Sequence, residues 1–251
     1  MTAPVEWWRT FFSGPVVDSW LKATTPEQDR EEAEFIQSAL GVAPPAKLLD
    51  VPCGGGRHCR ALAAYGYEMT GVDVSTDFLA AARSSSPGLP GKLTWEQRDM
   101  RSLPWPATFD GAYSFGNSFG YLDDDGNAAF LTAVAGALKP GARFVMDVSY
   151  IMEVVLPSLQ ERAWYQTGDI IMLAYRQYDP VRSRLEVEYT WIRDGVEDRR
   201  SMSARLYSFR EMLRLLDEAG FVDIEAYGSL ARAPFRLGSP RLLAIAAKPG
   251  A

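Results

Sequence analysis

The sequence predicts an α/β fold: a doubly wound, mainly parallel sheet of about seven strands with an antiparallel β insertion after the fifth strand. Three observations predict it. Apolar strand-like stretches alternate with helical ones from Leu48 to Tyr150; the first strand runs straight into a glycine turn in "LLDVPCGGGRHCRAL"; and the rhythm changes to closely spaced strands between Trp164 and Leu206. Alternation implies right-handed crossovers and parallel pairing, whereas successive short turns imply hairpins.

The chain opens on Trp7, Trp8, Phe11, Phe12 and Trp20, and the spacing of four puts Trp7 over Phe11 and Trp8 over Phe12 on a helix. Such a stripe is either core or, because it precedes the first strand, a lid over a ligand mouth. After the glycine turn, "YEMTGVDVS" reads as a strand, Thr76 to Ser85 as a helix, and "KLTWEQ" and "TFDGAYSF" as strands. A helix through "DGNAAFLTAVAGALKPG" and the strand "ARFVMDVSY" follow. Asp179-Pro180 and Asp194-Gly195 mark turns between the inserted strands. Ser208 and Glu211 form a capping box for "SFREMLRLLDEAGF", which Gly220 stops, and "VDIEAYGS" and "PRLLAIAAKP" close the sheet. Residues 1–251 are expected to form one domain, with 1–40 a helical lid segment and 160–207 a substrate-side insertion.

Composition narrows the partners. A formal net charge of −6 and a pI near 5.0, with no basic stripe, argue against nucleic acid and anionic membrane. "MTAPVEWWRTFFSGPVV" has no basic start and is broken by Glu6 and Arg9, so a cytoplasmic location is expected. Two cysteines and one histidine are too few for a metal site, and Cys53 and Cys59 read as packing residues. A homo-oligomer is compatible with all of this.

The glycine turn brings backbone close to a ligand at a helix N-terminus, but Gly54, Gly56 and Cys59 only approximate G-x-G-x-x-G. Asp73 strengthens the signal: it ends the second strand roughly twenty residues on, where a carboxylate accepts both ribose hydroxyls of a nucleoside. Asp99 and Met100 follow the third strand, placed to take an amino proton and to pack on a base. "FGNSFG" matches G-x-S-x-G at Gly116, Ser118 and Gly120, yet a serine hydrolase needs a histidine after the serine and His58 precedes it. "DDDGN" at Asp123 to Asn127 lacks the glutamate of a calcium loop and is better read as a helix cap.

With "LLDVPCGGG", Asp73 in "GVDVS" and Asp99-Met100 in place, the chain resembles the class I S-adenosylmethionine-dependent methyltransferases, which have a Rossmann-like fold. Within that class it is similar to glycine N-methyltransferase and related small-molecule enzymes through "FFSGPVVDSW", "LDVPCGGG", "SFGNSFGYL", "VEYTW" and "YGSLARAPFRLGSPRLLAIAAKP". The family's acid-x-Gly-x-Gly-x-Gly becomes Asp50, Pro52, Gly54 and Gly56, with proline keeping only a carbonyl at the first glycine's place. The resemblance gives Arg30 the cofactor carboxylate, with Trp20 beside it. Pro52, Gly54 and Phe115 take the methionyl part, Asp73 the ribose, and Val74, Asp99 and Met100 the adenine. Asn117 and Tyr121 face the reaction cavity, and Arg162 and Tyr189 match substrate-side residues. Phe11 and Ala23 stand where the family has tyrosines, which argues against glycine as acceptor.

The activity this implies is methyl transfer to a small-molecule acceptor, nitrogen favoured over oxygen. A non-catalytic S-adenosylmethionine-binding module and a nicotinamide oxidoreductase are the alternatives. Proximity and exclusion of water carry most of such a reaction. If a base is used, Tyr150, Glu153 and Tyr178 are the positional candidates; Asn117 is a catalytic candidate by its place at the reaction cavity. Acceptor choice falls to the aromatic N-terminus, Asn117, Tyr121, and the insertion's Tyr175, Arg176, Tyr178 and Tyr189, whose rings favour a planar, aromatic or amine acceptor.

Overall fold

The computed structural model describes residues 3–86 and 88–250. Seven strands form the main sheet: β1 (Lys47–Asp50), β2 (Glu68–Asp73), β3 (Leu93–Gln97), β4 (Phe109–Ser114), β5 (Leu138–Val148), β10 (Val222–Tyr227) and β11 (Leu242–Ala247). Their spatial order is β10-β11-β5-β4-β1-β2-β3. β1 pairs in parallel with both β2 and β4, while β11 runs antiparallel to β5 and β10. The chain leaves β1 toward one edge and returns at β4 to wind toward the other. A crevice therefore opens beyond the carboxyl ends of β1 and β4, where open α/β sheets bind ligands.

Helices cover both faces. On one face, α3 (Pro26–Leu40) and α4 (Arg57–Ala64) press Ile36, Leu40 and Leu62 onto Leu48 and Met69. On the other, α6 (Asp124–Ala137) and α8 (Phe209–Glu218) press Leu131, Val134, Met212 and Leu216 onto Phe144. Between β2 and β3 lies α5 (Thr76–Ser84), capped by Ser75, whose Oγ accepts the Phe78 N–H. Both capping residues expected at α8 are engaged, since Ser208 and Glu211 satisfy each other's backbone N–H groups. One boundary differs from expectation: α6 stops at Ala137 and β5 begins at Leu138, well before Gly141. Pro140 disfavours helical backbone at Lys139, so the chain turns extended there.

A second sheet follows β5 and the short α7 (Met152–Val155): β6 (Arg162–Thr167), β7 (Ile170–Asp179), β8 (Arg184–Arg193) and β9 (Val196–Arg205), antiparallel in sequence order. Asp194 and Gly195 take φ of 52° and 76°, the backbone that a tight hairpin needs. Along β8 every second residue is buried, with Leu185, Val187, Tyr189 and Trp191 on one face. That face packs on the N-terminal aromatics. Here α1 (Trp8–Phe11) and α2 (Pro15–Leu21) bury Trp7, Trp8, Phe11 and Val16 against Val187, Trp191 and Met202 in a third core. Trp7 and Phe11 meet edge to face at 5.0 Å as the spacing predicts. The expected Trp8–Phe12 pair does not form, because α1 ends at Phe11 and Phe12 stacks instead on Tyr121, ring centres 5.9 Å apart.

Candidate functional site

The turn after β1 is held by backbone and one carboxylate. Cys53 N–H donates to the Val72 carbonyl at 2.8 Å, tying the turn to β2. Asp73 Oδ2 accepts the Gly54 N–H and its Oδ1 the Ser75 N–H, each at 2.8 Å. Asp73 is buried, and burial raises its carboxyl to about 6. Gly54 has φ of 51° and open space where a Cβ would stand, so the backbone here faces a void. Gly56 caps α4 with φ of 72°, and a Cβ on it would lie 2.2 Å from the Trp95 ring.

The cavity beyond this turn is lined by Pro52, Gly54, Asp73, Val74, Asp99, Met100, Phe115 and Tyr121 from the sheet's carboxyl end. Trp8, Phe12, Trp20 and Leu21 line it from the N-terminal segment, and Asp29, Arg57, His58 and Arg60 from α3 and α4. Nine of the twelve residues expected at a cofactor thus share one cavity.

The other three lie elsewhere. Asp50 is buried behind the turn, where it accepts the Cys59 thiol at 3.2 Å, and burial pushes its carboxyl up to about 7. Gly56 serves the helix cap and does not line the cavity. Arg30 is corrected outright: α3 turns Ala33, Ile36 and Leu40 inward, which leaves Arg30 on the exposed face beside Glu34 at 3.7 Å. The cationic wall of the cavity comes from α4 instead. Arg57 binds Asp29 at 2.6 Å and Glu32 at 2.5 Å. Arg60 donates to the Gly55 carbonyl at 2.6 Å and has no carboxylate partner among the described residues. Glu32 also holds His58 at 2.9 Å and Arg241 at 2.8 Å. Burial opposes its charge, but these hydrogen bonds and the Arg57 guanidinium prevail and keep its carboxyl well below the usual range. Burial keeps His58 below its ordinary value. These α4 residues carry a signal that spacing alone did not rank, an arginine immediately after the glycines in "GGGRHCR".

Asp99 reaches the cavity with most of its acceptor capacity used. Arg101 Nε and Nη2 reach its two oxygens at 2.9 and 2.6 Å, and Arg9 approaches at 3.4 Å. The Arg101 hydrogen bonds hold it below the ordinary carboxylate value.

The expected acceptor residues divide among several places. Asn117, with φ of 70°, spends its Oδ1 on the Ser149 and Tyr150 N–H groups at 2.8 and 2.9 Å and does not line the main cavity. Its carbonyl positions the loop carrying Tyr150. Glu153 accepts the Phe209 N–H at 3.0 Å, an α8 contact. Phe11 and Tyr189 line a second hollow between α1 and the inserted sheet. Tyr150 stands 6.1 Å from Tyr121, ring to ring, and Tyr178 packs on the third core. Arg162 and Tyr175 are corrected: both lie on the outer face of the inserted sheet, stacked on each other at 5.7 Å. The period of two along β7 puts Arg176 and Tyr178 on the opposite, inner face.

Residues 48–141 match the family described as Methyltransferase domain. The chain is 24% identical over 203 residues to glycine/sarcosine N-methyltransferase of Aphanothece halophytica, covering 78% of this chain and 74% of that protein. It is 27% identical over 184 residues to demethylmenaquinone methyltransferase of Tropheryma whipplei (strain Twist), covering 72% and 69%. A crystal structure of an S-adenosylmethionine-dependent methyltransferase from Clostridium acetobutylicum superposes with a TM-score of 0.77 at 18% identity, covering 94% of this chain and 97% of that one. Strand order, glycine turn and domain match together define a class I S-adenosylmethionine-dependent methyltransferase. This chain is an enzyme of that class, and S-adenosylmethionine is its cofactor.

Proposed function

We propose that this enzyme methylates a nitrogen of a small-molecule acceptor that enters beneath the N-terminal aromatics. The observation that carries the choice of nitrogen is the absence, among the described residues, of a usable base at the acceptor end. Burial raises the Tyr121 and Tyr150 phenols well above their ordinary value, so both keep their protons at neutral pH. His58 is committed to Glu32, and the cavity's other carboxylates stand by the glycine turn or in ion pairs. A neutral amine needs no base, whereas a hydroxyl does.

The cavity fits S-adenosylmethionine on two counts: the void before Gly54, and the lone pairs that Asp73 retains after accepting two backbone N–H groups. Asp73 would hold the ribose hydroxyls, Val74 and Met100 would flank the adenine, and Asp99 would offer its remaining acceptor capacity to the amino group. Arg60 is the cation we assign to the carboxylate in place of Arg30. When bound, S-adenosylmethionine supplies a methyl group on a positively charged sulfur. Trp8, Phe12 and Tyr121 exclude water and hold the acceptor against that end of the cavity. In this reading residues 1–40 act as a lid and the inserted sheet as the acceptor wall.

The proposal is tested by incubating the protein with methyl-labelled S-adenosylmethionine and matched aromatic amines and phenols. Label is expected in amines. Transfer to phenols at equal or greater rate would refute the nitrogen assignment.

A further inference from the structure

The loop from Gly116 to Leu122 is bonded on its back and open on its front. Behind it, Asn117 Oδ1 accepts the Ser149 and Tyr150 N–H groups at 2.8 and 2.9 Å. Gly120 donates its N–H to Asn127 Oδ1 at 3.2 Å, and its carbonyl accepts the Arg205 N–H at 2.7 Å. A Cβ on Gly120 would lie 2.6 Å from the Arg205 carbonyl oxygen, so β9 presses directly on the backbone here. Within the loop, the Tyr121 N–H donates to the Ser118 carbonyl at 3.4 Å. The Tyr121 ring is fixed by Trp7, edge on at 4.7 Å, and by Phe12, stacked at 5.9 Å. In front, Ser118 and Tyr121 both line the cofactor cavity, and neither hydroxyl has a hydrogen-bond partner among the described residues. Neither is sealed from solvent as Asp147 Oδ1 is. Two neutral hydroxyls on a braced loop thus face the end of the cavity that holds the acceptor, and each oxygen can accept an N–H.

We propose that Ser118 Oγ and Tyr121 Oη accept hydrogen bonds from the N–H groups of an acceptor amine, so that the enzyme methylates primary and secondary amines and stops at the tertiary amine. This rests on the nitrogen reading above. In the transfer the nitrogen lone pair forms the bond to the methyl carbon while the carbon–sulfur bond breaks and its electron pair returns to sulfur. The nitrogen gains a positive charge, and the released product gives one proton to water. Hydrogen bonds from its N–H groups become charge-assisted as that charge develops, which makes them stronger in the transition state than in the bound amine. A primary amine can use both oxygens and a secondary amine one. A tertiary amine has no N–H to give, and the hydroxyls can only donate to it, onto the lone pair that attack requires.

The test uses the full-length protein with methyl-labelled S-adenosylmethionine and three probes on one ring: aniline, N-methylaniline and N,N-dimethylaniline, all uncharged at neutral pH. Label is expected in the first two at about ten or more times the rate of the third. Tyr121→Phe and Ser118→Ala should each lower kcat/KM for aniline about tenfold, chiefly through kcat, with S-adenosylhomocysteine affinity within about twofold of wild type as the sign that the variant is folded. In the double variant the preference for aniline over N,N-dimethylaniline should shrink to within about twofold, which a merely structural role would not produce. Labelling of N,N-dimethylaniline as fast as aniline, or a double variant that keeps the wild-type preference, overturns the amine seat. Label in none of the three refutes the nitrogen reading and the seat with it. Failure to bind S-adenosylhomocysteine would instead sink the cofactor assignments.

Discussion

At the scale of single residues, Asp73 fixes the glycine turn through the Gly54 N–H, and in the proposed reading its remaining acceptor capacity serves a ribose. Burial puts its carboxyl near 6, and only the ionised form presents all its lone pairs as acceptors. S-adenosylhomocysteine affinity is therefore expected to hold from pH 8 to about 7 and then fall as pH drops through about 6. Calorimetric titration across pH 5 to 8 checks this, and Asp73→Asn should bind about tenfold more weakly at pH 7.5 while losing the pH dependence. A wild-type profile that stays flat would reject the ribose role. Arg60→Ala should weaken S-adenosylhomocysteine but spare 5′-methylthioadenosine, which lacks the carboxylate. Arg30→Ala should alter neither, as fits an exposed arginine paired with Glu34.

At the scale of elements, the N-terminal helices are part of a core, whatever covering role the proposed reading gives them. Trp191 is fully buried and donates its indole N–H to Ser19 Oγ at 3.1 Å, pinning α2 to β8. Removing the whole segment would strip the third core, so truncation tests folding before it tests gating. Ser19→Ala is the cleaner probe. It leaves a buried donor unpaired and should cost about 1–2 kcal/mol, measured as a lower urea midpoint with unchanged slope. Trp191→Phe made in the Ser19→Ala background should cost less than in the wild type, because the orphaned N–H is gone. The start of α4 is equally constrained. Gly56→Ala adds a Cβ against the Trp95 ring at a left-handed backbone position, and more than about 2 kcal/mol of stability should be lost.

At the scale of the whole molecule, three buried carboxylates shape stability. Burial raises Asp50 to about 7 and both Asp73 and Asp147 to about 6, each from an ordinary value of 3.8. Between pH 4 and 7 the folded chain binds more protons at these sites than the unfolded chain, so their contribution falls as pH rises through that window. His58 works in the opposite sense. Burial lowers it, so the folded chain binds fewer protons there and gains stability as pH rises through 6.5. Glu32, held low by its partners, contributes fully above about pH 4.5. Three groups against one predict that the cofactor-free protein loses stability from pH 5 to 7.5. Urea unfolding at fixed ionic strength measures it, and a midpoint that rises over the range would contradict these shifts.

Much of this architecture was legible in the chain itself. The alternation of strands and helices, the glycine turn at Gly54, the acid at Asp73, the cap at Ser208 and the hairpin turn at Asp194-Gly195 are set by neighbours in sequence, through φ preferences, hydrogen bonds within a turn and the periods of helix and strand. From these came the sheet, the insertion and most of the cavity wall. The tertiary structure alone decided which charges meet. α3 buries Glu32 among its apolar residues, and that buried acid, gathering Arg57, His58 and Arg241 from remote segments, turns Arg30 outward and makes α4 the cationic wall. Packing likewise clamps Asp99 with Arg101 and Arg9 and sends Arg162 and Tyr175 to the outer face. Local rules fix where a side chain leaves the backbone, but its charge partner is chosen by segments far away in sequence that only packing brings within reach.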